Sequence, residues 1–141
     1  MKDISENTLR QLAAEALRMR EYSYTPYSNF NVGAALLAED GRVFTGCNIE
    51  NSSFTPTVCA ERTAIFKAVS EGCREFSAIA IAGGPAGAEP ADYCPPCGVC
   101  RQVMTEFCGG DFIVLLVRTP DDYKTYTLDE IFPLSFELMR R

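Results

Sequence analysis

Leu9, Leu12, Ala13, Ala16 and Leu17 recur on one helical face, and this spacing predicts an amphipathic helix over residues ~6–21. Ser5 or Asn7 is placed to cap it. A polar stretch from Tyr22 to Asn29, with Pro26, predicts a loop. Phe30 to Ala38 is apolar with little alternation, the pattern of a strand buried on both faces. Glu39-Asp40-Gly41 signals a turn, and Arg42 to Ile49 resumes the extended pattern, so the pair predicts a hairpin. Asn51 to Thr57 is polar again. Ala60, Ala64, Ile65, Ala68 and Val69 mark a second helix over ~58–71, with Gly72 as its stop. Phe76 to Ala82 predicts a buried strand, and Gly83 to Pro96 a long loop. A third helix over ~97–107 follows, then a strand from Asp111 to Arg118, a weaker one from Tyr123 to Thr127, and one helical turn ended by Pro133. Strands separated by helices favour a sheet covered on both faces. The pattern leaves the strand order open.

The chain has 141 residues, a length that suits one domain with a usable core. No apolar run approaches the ~20 residues that cross a bilayer. The N-terminal residues lack the apolar core of a signal peptide, which predicts a soluble cytoplasmic protein. Net charge is -6, and the 13 lysines and arginines are scattered without a basic run. Binding a phosphate backbone needs clustered positive charge, so a polynucleotide partner is disfavoured and a small neutral ligand fits better, and with no spanning run no membrane partner is expected.

Seven cysteines and no histidine narrow the chemistry. Any general base must be Glu, Asp, Lys, Tyr or Cys. Any soft-metal site must be built on cysteine, with or without carboxylate help. Cys97-Gly98-Val99-Cys100 opens one predicted helix and Cys59 opens another. Free N–H groups and positive partial charge at helix starts favour the thiolate that a metal needs. Three thiolates with a fourth position for water describe a catalytic zinc, whereas structural sites close with four. Cys94 or Cys47 could supply that fourth ligand, and Cys94-Pro95-Pro96-Cys97 also has the spacing of a redox pair. Spacing alone leaves these alternatives open.

Glu61, two residues after Cys59, falls in the first turn of the same helix, where a carboxylate could shuttle a proton at the metal's open position. An acid there also simply complements the helix dipole. Three thiolates on Zn²⁺ leave an excess negative charge that weakens the metal as a Lewis acid. Nearby cations or hydrogen bonds to sulfur would offset it. Arg62 is expected to do so, with Arg101 or Gln102 helping, although each could be an ordinary exposed helical residue.

Thr57-Val58-Cys59-Ala60-Glu61-Arg62 and Pro96-Cys97-Gly98-Val99-Cys100-Arg101-Gln102 resemble the zinc signature of the small homotetrameric cytidine deaminases. Pro26 to Ala35 resembles that family's opening strand, and Gly46 to Asn51 its nucleoside-binding segment. The resemblance covers roughly residues 8–136. It implies one three-layer α/β/α domain over residues 1–141, with a mixed sheet of about five strands. It also implies one Zn²⁺ per chain on Cys59, Cys97 and Cys100. The implied reaction is hydrolytic deamination of cytidine or deoxycytidine by zinc-activated water attacking C4, with Glu61 as proton shuttle, a step of pyrimidine salvage. Asn48 and Glu50 match positions that bind the ribose 3′-hydroxyl, Phe30 the ring beside the base, and Ala60 a backbone group that reads the base edge. Phe136 resembles a C-terminal phenylalanine that reaches a neighbouring subunit's site, so a homotetramer with sites at subunit interfaces is expected.

Phe54 stands where many of these proteins carry tyrosine, and Thr55-Pro56-Thr57 and Cys94 also depart from the pattern. Blasticidin-type deaminases share both zinc elements, which leaves a deaminase of another small heterocycle as one alternative. A non-catalytic four-cysteine zinc module is the other.

Overall fold

The computed structural model describes residues 3–138. The first helix, α1 (Glu6–Met19), is capped by Ser5, whose hydroxyl accepts from the Thr8 amide. A 3-10 turn, Arg20–Tyr22, ends it. Strands β1 (Phe30–Ala38) and β2 (Val43–Cys47) form the expected hairpin. Helix α2 (Ala60–Ser70) follows, then β3 (Phe76–Pro85), α3 (Gly98–Phe107), β4 (Ile113–Thr119), β5 (Asp122–Thr127) and the short α4 (Leu128–Ile131).

The five strands make one mixed sheet in the order β2-β1-β3-β4-β5, in which β3 and β4 are parallel and the other pairs antiparallel. Side chains of the central strands alternate between two apolar clusters, as the strand period of two requires. Ala35, Ala78, Ala80, Ala82, Ile113, Leu115 and Val117 meet Leu12, Ala13 and Ala16 of α1. Leu36, Ile79, Ile81, Val114 and Leu116 meet Ala64, Ile65 and Ala68 of α2 and Met104 of α3. The molecule is therefore the three-layer α/β/α domain that the sequence implies, with α1 alone on one face.

Two close approaches set this packing. A Cβ at Gly33 would lie 1.9 Å from the Ala16 carbonyl oxygen, so α1 rides directly on β1. A Cβ at Gly46 would lie 2.5 Å from the Ala60 carbonyl oxygen and 2.6 Å from the Ala64 amide, so β2 touches the first turns of α2.

Two boundaries differ from the sequence pattern. The second hairpin strand stops at Cys47, because Asn48 to Glu50 leave it to bond Tyr24 and Val58. Strand β3 continues through Gly83, Gly84 and Pro85, which pair with Val32, Asn31 and Phe30. Those glycines belong to a crowded sheet end, not to a loop. A Cβ at Gly83 would lie 2.7 Å from Cys94 Sγ, and one at Gly84 3.0 Å from Pro90.

Candidate active site

Helices α2 and α3 bring their N-termini together on one side of the sheet. Cys59 is the N-cap of α2 and Cys97 the N-cap of α3, both with extended backbone, and neither side chain makes a capping hydrogen bond to its helix backbone. The thiols are thus free for other partners while sitting at the positive helix ends. Cys100 lies one turn into α3 and is buried.

The three sulfurs lie within 4.8 Å of one another. Cys59 Sγ is 3.8 Å from Cys97 Sγ, and Cys97 Sγ is 3.5 Å from Cys100 Sγ. Tetrahedral zinc with Zn–S bonds of about 2.3 Å requires sulfurs roughly 3.8 Å apart, so the trio fits that ion. Cys97 is exposed, which leaves the cluster open toward solvent. Neither Cys94 nor Cys47 joins this group among the described residues, so no four-cysteine cage is formed.

The charge environment favours thiolate. Cys59 is lowered to about 5, first by the hydrogen bond from Cys100, and further by Arg62 and Cys97, against the cost of burial. Cys100 is pushed up, first by that same shared proton and then by burial. Arg62 Nη2 donates to Cys59 Sγ at 3.4 Å, the contact expected of it. Its Nε is buried without a hydrogen-bond partner among the described residues.

Glu61, in the first turn of α2, is 3% exposed. Burial raises its pKa to about 7, against the pull of its own backbone amide, and the Cys59 charge adds to the rise. Phe30 is part-exposed, not core, and stands where β1 begins. Its ring and the Cys94 sulfur both press on Gly83. Cys94 in turn is raised to about 11, first by burial and then by the charges of Glu61 and Cys59. Phe30, Cys94, Glu61 and Cys59 are therefore neighbours. Ala60 is fully buried at the same helix start.

Asn48 and Glu50 are held by the chain itself. The Asn48 side chain accepts from the Val32 amide and donates to the Phe30 carbonyl, at 2.9 and 2.8 Å, and so extends the pairing of β1. Glu50 accepts from the Tyr27 and Ser28 amides and from the Ser28 hydroxyl. These bonds hold its pKa below the usual carboxylate range, the Ser28 hydroxyl first. An amide and a carboxylate each retain further bonding capacity in this arrangement. Tyr27, Glu50, Phe54 and Thr57 line a cavity of about 180 Å³. Tyr27 meets Phe54 edge-on at 6.0 Å and hydrogen-bonds Ser52 at 2.6 Å. The sequence reading did not single out Tyr27; its place in Pro26-Tyr27-Ser28, beside a loop that must fold toward Glu50, was the available signal.

Gln102 departs from its expected role. Its amide donates to Thr105 Oγ1 and to the Phe136 carbonyl, so it serves the C-terminal segment and not a sulfur. Arg101 likewise donates to the Pro96 and Ile131 carbonyls. Both side chains thus direct their donors to oxygen atoms and not to the sulfurs. Phe136 is 67% exposed.

A sequence profile described as the cytidine and deoxycytidylate deaminase zinc-binding region matches residues 6–116. The chain belongs to this family. It is 49% identical to a cytidine deaminase of Sporosarcina psychrophila over 128 residues, 91% of this chain and 90% of that protein. The crystal structure of cytidine deaminase from Burkholderia pseudomallei superposes with a TM-score of 0.80 at 41% identity, over 94% of this chain and all of that one. A blasticidin-S deaminase of Bacillus cereus is 33% identical over 109 residues, 75% of this chain and 76% of that protein. The chain is thus a member of a zinc-binding deaminase family, and its three-cysteine cluster is positioned to hold that metal ion.

Proposed function

We propose that this deaminase hydrolyses free cytidine or deoxycytidine to uridine or deoxyuridine and ammonia. The observation that carries the proposal is Glu61, a carboxyl 3% exposed beside three clustered sulfurs, with a pKa raised to about 7. A general acid–base group works best when its pKa lies near the operating pH. Cys59, Cys97 and Cys100 would hold the zinc, which, when bound, makes water a ready nucleophile near neutral pH. Glu61 accepts the water's proton as its oxygen bonds to C4. It returns that proton to ring N3, then passes the second water proton to the departing amino group. Water supplies the oxygen and two hydrogens; ammonia and the uracil ring take them up. Arg62 keeps Cys59 as a thiolate and offsets part of the excess negative charge of the trio.

In this reading Phe30 would pack beside the base, the Ala60 backbone would meet its edge, and Asn48 and Glu50 would meet the sugar. The greater identity and coverage of the cytidine deaminase over the blasticidin-S deaminase favours a nucleoside. We further propose a homotetramer. Phe54 and Phe136 are 74% and 67% exposed, and Tyr22, Tyr24 and Tyr27 are also exposed, aromatic surface that contacts between chains would cover. No helix among the described residues is long and apolar enough to cross a membrane, and the seven cysteines are free, which fits a cytoplasmic enzyme.

A substrate panel tests the reading. Cytidine, deoxycytidine, cytidine monophosphate, a cytosine-containing oligonucleotide and blasticidin S are incubated with the purified protein, and ammonia is measured. Release from the two free nucleosides well above the other three is expected. Release from blasticidin S alone would overturn the nucleoside assignment and retain a deaminase.

A further inference from the structure

Strand β3 ends at Pro85, and the chain reaches Cys97, the N-cap of α3, across residues 86–96. That connection decides where Cys97 arrives. Of the three clustered thiols, Cys97 sits on the exposed residue, while Cys100 is buried in α3. The last stretch before α3 is Cys94-Pro95-Pro96-Cys97. A proline ring locks its own φ, and the residue before each proline is confined to extended backbone, so this stretch has little freedom to bend. At its α3 end, Arg101 Nε donates to the Pro96 carbonyl at 2.8 Å, and the Arg101 amide to the Cys97 carbonyl at 3.0 Å.

Tyr93 stands at the other end. Its ring packs against the apolar cluster shared by the sheet, α2 and α3. Its hydroxyl donates to Asp122 at 2.5 Å. Arg118 Cζ and Lys124 Nζ lie over the ring, 5.7 and 4.7 Å from its centre. Arg118 also pairs with Asp122 at 3.1 Å. Arg118 belongs to β4, and Asp122 and Lys124 to β5, so three side chains of one hairpin close on a single ring. Two cations over a ring whose hydroxyl meets a carboxylate make a more directional hold than apolar contact alone. The hydrogen bond to Asp122 also raises the Tyr93 pKa, so the donor keeps its proton.

We propose that Tyr93 is a positioning residue for the zinc site: clamped to the β4–β5 hairpin, it fixes, through the stiff segment that follows, where Cys97 meets Cys59 and Cys100. Tyr93 acts through Cys97 and not on the metal itself. The inference uses the cysteine cluster and is independent of the substrate. Without the clamp the start of the segment shifts over the hairpin, and Cys97 leaves the other two sulfurs more often. A metal held by an exposed and wandering third ligand is released sooner.

The experiment compares zinc-loaded wild type, Tyr93→Phe, Tyr93→Leu, Asp122→Asn and Ser5→Ala. The rate of zinc release to an excess of a colorimetric chelator at neutral pH is measured for each, beside thermal unfolding of the metal-free proteins. Tyr93→Leu loses both ring and hydroxyl, and its release is expected to be about ten-fold faster. Tyr93→Phe keeps the ring under the cations and Asp122→Asn keeps an acceptor, so each should accelerate release only about three-fold. Ser5→Ala removes the cap of α1, on the opposite face of the sheet. It should lower the unfolding temperature and leave zinc release unchanged. Release at the wild-type rate in Tyr93→Leu would overturn the proposal. So would equal acceleration in Ser5→Ala, because zinc loss would then follow overall stability and not the clamp. Should Tyr93→Leu fail to fold, Tyr93→Phe and Asp122→Asn decide, and wild-type release in both would overturn the proposal.

Discussion

Burial changes what a carboxyl can do, and Glu61 is the case that matters here. At 3% exposure its pKa rises from 4.5 to about 7. Between those values the unfolded chain has released this proton while the folded chain still holds it. The unfolded state then binds fewer protons, so this group costs the metal-free protein stability as pH rises from 4.5 to 7. The cost is absent below that window and complete above it, at about 3 kcal/mol. Metal-free Glu61→Gln should therefore be more stable than metal-free wild type at pH 8 and equal to it at pH 4, by urea unfolding. A difference that does not change with pH would remove this reading. Arg62 acts on the cluster from the other side. Arg62→Gln removes the donor to Cys59 and should weaken zinc retention about 10–100-fold in a chelator competition at neutral pH. Helix-start spacing marked the three cysteines and Glu61 as candidates, and the resemblance to the deaminase zinc signature joined them into one site; spacing alone left Cys94 and Cys47 open as further ligands. The place of Gln102 was not legible, because which face of α3 meets the C-terminal segment depends on where residues 132–138 turn back.

Close packing between elements places the two helix starts. The sheet end of β2 and the first turns of α2 meet at Gly46, where backbone atoms leave no room for a methyl group. Backbone cannot rotate away as a side chain can. Gly46→Ala should therefore push α2 outward, cost about 1–3 kcal/mol, and lower zinc per chain as Cys59 leaves its partners. Thermal unfolding with metal analysis checks this; a normal zinc content would separate the helix position from the site. Most elements were legible from periodicity, the central strands because burial on both faces gives continuous apolar runs. The order β2-β1-β3-β4-β5 was not legible, because strand pairing is decided by contacts far apart in the chain. Gly83 and Gly84 were misread as loop for a related reason: their need for small size comes from Cys94 and Pro90, which the local pattern does not reveal.

Over the molecule as a whole, Phe54, Tyr27 and Phe136 are exposed aromatics that the proposed homotetramer would cover. Sedimentation of the zinc-loaded protein should give four times the 15.5 kDa chain mass, and activity per chain should fall on dilution once subunits separate. A monomer that keeps full activity would refute shared sites. The charge of -6 and the lack of a basic cluster were legible from composition and set the expectation of a small substrate. A subunit interface is not legible from residue pattern, because an apolar residue bound for a neighbour has the same sequence signature as one bound for the core.

The central claim, a zinc-dependent deaminase in which Glu61 moves the proton, is tested most directly by comparing wild type with Glu61→Ala. Both are purified without added metal. Zinc per chain and the absorbance loss with cytidine are measured on the same samples. About one zinc per chain is expected in both, with turnover in wild type and a loss of about 10²–10⁴-fold in Glu61→Ala. Equal turnover in the two proteins, or a wild type that binds no zinc, would contradict it.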